Sequence, residues 1–434
     1  MSQFCCLLTA ILKGIKRCEK MRKIILCGSL FDGMTGHVIS NRAIIIEDNL
    51  ITDIIKCQEY QPQEDDILVD CSDKFVMPGL IDTHVHLGFS GKAAITELSE
   101  PSELVVLKAL KNAQDDLMGG FTTVRDAGFP SLLGSQAVRD AINTGIAWGP
   151  RVFTSGMYIT QTGGHLATSY PQEAFGQQTF KPVNTADSPD EVRTACRTML
   201  KYGADQLKIM VTGGVLSNSG GVGEQNMSDE EIKAAVDVGK MHNRLVSCHA
   251  HGTSGILAAA KAGVSSIEHC TMVSDEGIEY MLKNHVVAVP TLIVLHVLAN
   301  GASQGVAQSA VDKAAFLVPQ HATNIKKAYD KGVRCVFGTD TGTPLGLHGY
   351  QHPEFTYMTK AGISPEDTLL AATRYAAELL MWDDRIGTIQ PGKFADIIAV
   401  NGNPLKNMSV MSRDNISFVM KNGTIYKNHS QKEV

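Results

Sequence analysis

His84 and His86 flank a single valine at the end of an apolar run, Val76-Met77-Pro78-Gly79-Leu80-Ile81-Asp82-Thr83. On an extended strand alternate side chains share a face, so the two imidazoles point one way and Val85 the other. A pair of imidazoles at a strand end forms half of a site for a divalent metal. The plainer reading, two polar residues where a strand meets a loop, stays open for this tripeptide alone. What decides is whether the chain supplies more ligands, each at the end of its own later strand.

Later segments offer such groups. Lys208 lies within Gln206-Leu207-Lys208-Ile209-Met210-Val211, and an unpaired ammonium among apolar neighbours is costly to bury. His249 follows Cys248, His269 follows Glu268, and Asp340 closes Gly338-Thr339-Asp340. A hydrogen-bonded structural role is open to any one of these histidines. Four histidines, an acid and an interior lysine at successive strand ends argue together for one shared site.

Other residues carry less weight. His251 shares the parity of His249, but Gly252 suggests a turn there, which suits a supporting position. His348 and His352 follow the last expected strand of the series, in positioning or solvent-exposed roles. Arg125 and Asp126 read as a structural ion pair near the site. Cys248 and Cys270 adjoin the site histidines and should face away from it, packed under helices, so no thiolate nucleophile is expected.

The elements that must position these groups alternate along the middle of the chain. Strands are expected at 79–86, 122–126, 151–155, 206–211, 245–250, 266–269, 286–290 and 334–339. Amphipathic helices fall between many of them, for example at 103–118, 229–241 and 365–380. Ser228-Asp229-Glu230-Glu231 and Ser364-Pro365-Glu366-Asp367 are good helix starts, each with a capping serine and acids in the first turn. Eight strands alternating with helices predict an α/β fold, a (β/α)8 TIM barrel over residues 76–384, whose chemistry sits at the carboxyl ends of the strands. Residues 23–75 and 385–434 are instead rich in short β-like runs and turns, which suggests a small composite β-sandwich domain built from both termini.

Composition agrees with a large folded core: of 434 residues 44% are apolar and 19% charged. The formal net charge of -6 argues against nucleic acid or an anionic membrane as partner. The ten cysteines show no disulfide framework and no Cys-x-x-Cys pair, so reduced thiols in a cytoplasmic protein are expected. Residues 1–22 hold an apolar stretch from Phe4 to Leu12 with Lys13, Lys16, Arg17 and Lys20 after it. A secretory signal would place its charge first, so this segment is expected to be an extension outside the fold, with Met21 as the real start. Its apolar stretch leaves export open. The run from Val286 to Leu298 is interrupted by Pro290 and is too short to span a bilayer.

With these motifs in hand, the chain from about Lys23 onward resembles the amidohydrolase superfamily of metal-dependent hydrolases. The resemblance rests on Pro78-Gly79-Leu80-Ile81-Asp82-Thr83-His84-Val85-His86, Lys208, His249, His269, Gly338-Thr339-Asp340-Thr341 and the closing Gly387-Thr388-Ile389-Gln390-Pro391-Gly392-Lys393-Phe394-Ala395-Asp396-Ile397. Thr162-Gly163-Gly164-His165 and Lys208-Ile209-Met210-Val211-Thr212-Gly213-Gly214-Val215-Leu216-Ser217 are similar to the branch of Xaa-Pro dipeptidases, zinc carboxypeptidases and ochratoxin-type amidases.

The resemblance implies two divalent metal ions, zinc by expectation, though the ligand types also suit manganese or cobalt. His84, His86 and Asp340 would hold the more buried metal, and His249 and His269 the more exposed one. Lys208 would be carboxylated by carbon dioxide and bridge the two. A metal-bridging hydroxide would then attack an amide carbonyl, with Asp340 moving the proton and His165 contacting substrate or stabilising the oxyanion. The expected substrate is small: a dipeptide of the Xaa-Pro or Xaa-Arg/Lys type, or an N-acyl amino acid. A cyclic amide or imidazolone hydrolase is the alternative on the same centre. A scaffold that has lost catalysis is the third reading, and the complete ligand set speaks against it. Homo-oligomer formation through the outer helices is left open.

Overall fold

The computed structural model describes residues 22–91, 100–167, 184–217 and 220–429. The expected N-terminal extension lies outside these except for Arg22, which already begins a strand and bonds Asp66 in two places.

Both ends of the chain build one sheet. Strands β1 (Arg22–Phe31), β2 (Val38–Glu47), β3 (Leu50–Lys56) and β4 (Ile67–Pro78) join β12 (Ile397–Val400), β13 (Ile416–Lys421) and β14 (Thr424–Asn428). The order is β14-β13-β12-β4-β1-β2-β3, with β1 and β4 parallel and the other pairs antiparallel. The sequence predicts a sandwich from these segments; they form a single seven-stranded sheet. Residues such as Ile25, Ile44, Val69, Ile397 and Phe418 pack a buried cluster of its own. Residues two apart on a strand share a face, so Ile25 and Cys27 on β1, Ile44 and Ile46 on β2, and Val69 and Cys71 on β4 meet in that cluster.

The central strands are all parallel. A three-stranded sheet holds β5 (Leu80–Val85), β6 (Phe121–Asp126) and β7 (Arg151–Thr154). A four-stranded sheet holds β8 (Gln206–Met210), β9 (Leu245–Ala250), β10 (Ser266–His269) and β11 (Val287–Val289). Backbone hydrogen bonds connect the two at both edges. On one side Ile159 N donates to Lys208 O and Met210 N to Ile159 O. On the other, residues 334–341 reach from Ala288 to Thr83 and His84.

Seven of the eight expected strands are present, close to the expected bounds. The eighth, 334–339, is reduced to an isolated bridge at Cys335. Phe337 N donates to Ala371 O at a helix end, while Phe337 O keeps its pairing with β5, accepting from both Thr83 N and Thr83 Oγ1.

The helices follow their sequence signals. Ser228 caps Asp229–Met241 in a reciprocal capping box with Glu231, and Ser364 caps Pro365–Ala371. The helix expected over 365–380 is two, Pro365–Ala371 and Arg374–Leu379. Ala371 and Ala372 turn their carbonyls to Phe337 N and Ile81 N, which breaks the helix where it meets the parallel strands. The described cysteines are all free. Among the described residues, no helix is long and apolar enough to cross a membrane.

Candidate active site

Five of the expected site residues stand at or beside strand ends. His84 is on β5 and His86 just past it, Lys208 is on β8, His249 on β9 and His269 closes β10. Asp340 follows the segment that stands in for an eighth strand. All six, with His165 and His251, line one cavity. The structure therefore brings every expected site residue together.

Two of these positions leave extended geometry. His269 has φ 69° and Asp340 φ 60°, in the left-handed region that most residues avoid. At His269 this cancels the strict alternation of the strand, so Glu268 and His269 both reach inward. Cys270, also left-handed at φ 52°, packs its sulfur against Met281 under the neighbouring helix, and Cys248 is fully buried in the core.

The imidazoles are oriented by what holds their outer nitrogens. His84 Nδ1 lies 2.7 Å from Glu268 Oε2, and His86 Nδ1 lies 2.8 Å from Gly128 O. A carbonyl oxygen only accepts, so His86 donates from Nδ1 and presents the lone pair of Nε2. Nδ1 of His269 is 2.7 Å from Thr291 Oγ1, and that of His251 is 2.8 Å from Thr271 Oγ1. His249 Nε2 lies 3.2 Å from Gly213 O, which leaves its Nδ1 lone pair open.

Asp340 Oδ1 is buried without a hydrogen-bond partner, yet it lies 3.4 Å from His84 Nε2 and 3.2 Å from His86 Nε2. An anionic oxygen and two imidazole lone pairs meeting in a buried place repel one another unless positive charge sits among them. A divalent cation fits that place by the chemistry of its donors. Two groups have ligand atoms within 4.8 Å of one another, His84–His269–Asp340 and His249–His251–His269. They share His269, so the donor set suits two neighbouring ions. Burial drives His249, His251 and His269 well below the usual histidine value, which keeps them neutral donors.

Lys208 is 1% exposed. Burial lowers its amine from the ordinary value, and the carboxylates of Glu268 and Asp340 offset this only in part. A neutral amine is the form that can add to carbon dioxide.

His165 stacks on His249 with ring centroids 4.2 Å apart, and its Nδ1 is 2.7 Å from Ser217 Oγ. Burial pushes it down to about 3. Gly214 makes this approach possible, because a Cβ there would lie 2.2 Å from His165 Cε1.

Several supporting residues escaped the sequence reading or stand differently from it. The partner of Arg125 is Glu268, at 2.8 Å, rather than Asp126; Asp126 accepts from Leu87 N and Gly128 N. Arg125 also donates to Thr83 O, Gln206 Oε1 and Ser266 Oγ. His251 is a full member of the imidazole cluster, stacked on His269 at 4.6 Å. His348 and His352 are buried. His348 bonds Asp116 through Nδ1 at 2.9 Å and the carbonyls of His86 and Phe89 through Nε2. Facing acceptors on both sides, it must carry both protons; burial works against this, but Asp116 outweighs it and raises His348 above its usual value. His352 Nε2 reaches Gly119 O at 2.8 Å. Glu268 was visible beside His269 in the sequence; nothing local marked Asp116 or Thr291.

Comparisons with known proteins agree on one family. A sequence profile described as "Amidohydrolase family" matches residues 75–426. Ochratoxinase of Aspergillus niger is 29% identical over 435 residues, covering 93% of this chain and 86% of that protein. A crystal structure of a Xaa-Pro dipeptidase with methionine bound in its active site is 37% identical, covers 94% of this chain and 100% of that one, and superposes with a TM-score of 0.86. A prolidase complexed with N-methylphosphonate-L-proline is 28% identical over 94% of this chain and 100% of that one, also with a TM-score of 0.86.

Proposed function

The chain belongs to the amidohydrolase family and is a C–N bond hydrolase, and from that premise we propose that it cleaves the amide of a dipeptide or N-acyl amino acid at a binuclear metal centre. The observation that carries this reading is the convergence of the His84 and His86 Nε2 atoms on the unpartnered Asp340 Oδ1. The Xaa-Pro dipeptidase, prolidase and ochratoxinase relatives support a small amide as substrate. We read the parallel strands of 76–384, with the segment at 334–341, as a (β/α)8 barrel, and the sheet from 23–75 and 385–434 as its companion domain.

In this proposal His84, His86 and Asp340 would hold one ion and His249 and His269 the other, with His251 beside them. Lys208 would join them as a carbamate: its neutral nitrogen would bond the carbon of carbon dioxide and lose a proton to solvent, giving an anionic ligand in place of a buried amine. Two divalent ions bound there, zinc by expectation, would supply Lewis-acid polarisation of the amide carbonyl and acidify the attacking water. Asp340 takes the proton from that water and returns it to the leaving nitrogen, which could not depart as an amide anion. His165, neutral and fixed by Ser217, is placed to contact the carbonyl oxygen or the neighbouring substrate atoms. Arg125 and Glu268 hold His84 in its tautomer from behind.

The test is hydrolysis of Xaa-Pro and Xaa-Arg dipeptides, N-acyl amino acids and cyclic ureides by the metal-loaded protein. Turnover of the open-chain amides supports the reading. Turnover confined to cyclic ureides would move the function to the cyclic-amide alternative.

A further inference from the structure

Beyond its imidazoles, Lys208 and Asp340, the described lining of the cavity has no ionisable group. One wall of it is made by Val215, Leu216, Val294, Leu295 and Leu298. These are not loose side chains. Val215, Val294, Leu295 and Leu298 pack into one buried cluster with Ala310, Ala314 and Leu317 of the helix Gln308–Asp330.

The helix Leu292–Ala299, which carries three of them, is pinned at its first turn. Glu354 Oε1 accepts from Leu292 N at 2.9 Å, and Oε2 accepts from Ile293 N at 2.6 Å. The residue before that helix, Thr291, holds His269 Nδ1. One connection thus sets both a proposed metal ligand and the apolar wall, so the distance from the reacting centre to the wall is built into the fold.

We propose that this wall is the specificity site: it receives an uncharged apolar side chain of the Met, Leu or Phe kind on one side of the scissile amide and excludes Lys, Arg, Asp and Glu side chains. The proposal rests on the amide-hydrolase reading above and narrows it, because the Xaa-Arg/Lys substrates drop out. An apolar side chain gains by leaving water for Leu295 and Leu298. Among the described lining residues a cationic one would be stripped of water with no carboxylate to meet except Asp340, which already faces His84 and His86, and an anionic one would find no Lys or Arg except Lys208, the proposed metal bridge.

The experiment has two readouts on the metal-loaded protein. Calorimetry measures binding of free Met, Leu and Phe against Lys, Arg and Asp. Kinetics compares Leu-Pro with Arg-Pro and Glu-Pro, and N-acetyl-Leu with N-acetyl-Arg. A preference of about 100-fold or more for the apolar members is expected in binding and in at least one kinetic series, the scale of discrimination when a site's contacts go unmet. Leu216→Asp, at a half-buried position, should shift the preference toward Arg, and Leu295→Ala should shift it toward bulkier apolar groups. Equal handling of charged and apolar members, or a preference unmoved by Leu216→Asp, would overturn the proposal. Apolar selectivity in binding without hydrolysis of any amide would uphold the wall and overturn the amide-hydrolase reading.

Discussion

Glu268 stands between Arg125 and His84, one carboxylate oxygen 2.8 Å from Arg125 Nη2 and the other 2.7 Å from His84 Nδ1. All three side chains are essentially buried. Burial opposes the carboxylate, but Arg125 and His84 outweigh it and keep Glu268 below the ordinary range. The ion pair therefore fixes the proposed ligand His84 from a place no solvent reaches. Glu268→Gln keeps the shape and removes the charge. Metal titration should show affinity lower by about 10–100-fold. Thermal unfolding should show a loss on the order of 3 kcal/mol, since the buried Arg125 charge is left uncompensated.

Asp340 is proposed to ligate and to carry the proton. Asp340→Asn retains an oxygen donor and loses the base. Steady-state kinetics should show kcat reduced by roughly 10²–10⁴-fold, and turnover within tenfold of the unaltered protein would remove Asp340 from the proton path.

His165 separates substrate contact from ligation. It stacks on His249 but has Ser217 at its Nδ1, so His165→Ala should leave the metal content unchanged. Its kcat should fall by about 10²-fold, as for loss of one stabilising donor. Loss of an ion in this variant would show that His165 is a ligand.

Acid sensitivity has a defined source in His352. Burial pushes this residue down to about 4, against about 6.5 in an unfolded chain. Between these values the unfolded chain takes up the proton and the folded one does not. Its stabilising contribution is then full above about pH 6.5 and is lost as pH falls toward 4, by about 3 kcal/mol. His352→Gln keeps a donor for Gly119 O, and denaturant unfolding across this range should show a flatter pH dependence than the parent. An identical slope would place the acid sensitivity elsewhere.

Much of the site was legible in the chain because strand ends in a parallel fold converge, so His84, Lys208, His249 and His269 could be collected from separate motifs. What was not legible depends on backbone and packing. Regular strand parity would set Glu268 and His269 on opposite faces, and the left-handed φ of His269 lets both point inward. Arg125 found its partner across the strands at Glu268, not in the adjacent Asp126. The eighth strand is reduced to a bridge where Phe337 N turns to Ala371 O at the end of a helix while its carbonyl stays paired with Thr83 of β5, a contact between distant segments. His348 and His352 read as positioning or exposed residues of a loop, and their burial removes the exposed alternative.

The central claim is that His84, His86, His249, His269, Asp340 and a carboxylated Lys208 bind the ions that make the chain a hydrolase. The direct measurement is elemental metal analysis coupled to Leu-Pro hydrolysis, before chelation, after it, and after return of zinc with and without bicarbonate. The account predicts about two divalent ions per chain, activity abolished by chelation, and recovery that is fullest with bicarbonate present. Undiminished hydrolysis by the metal-free protein would contradict it.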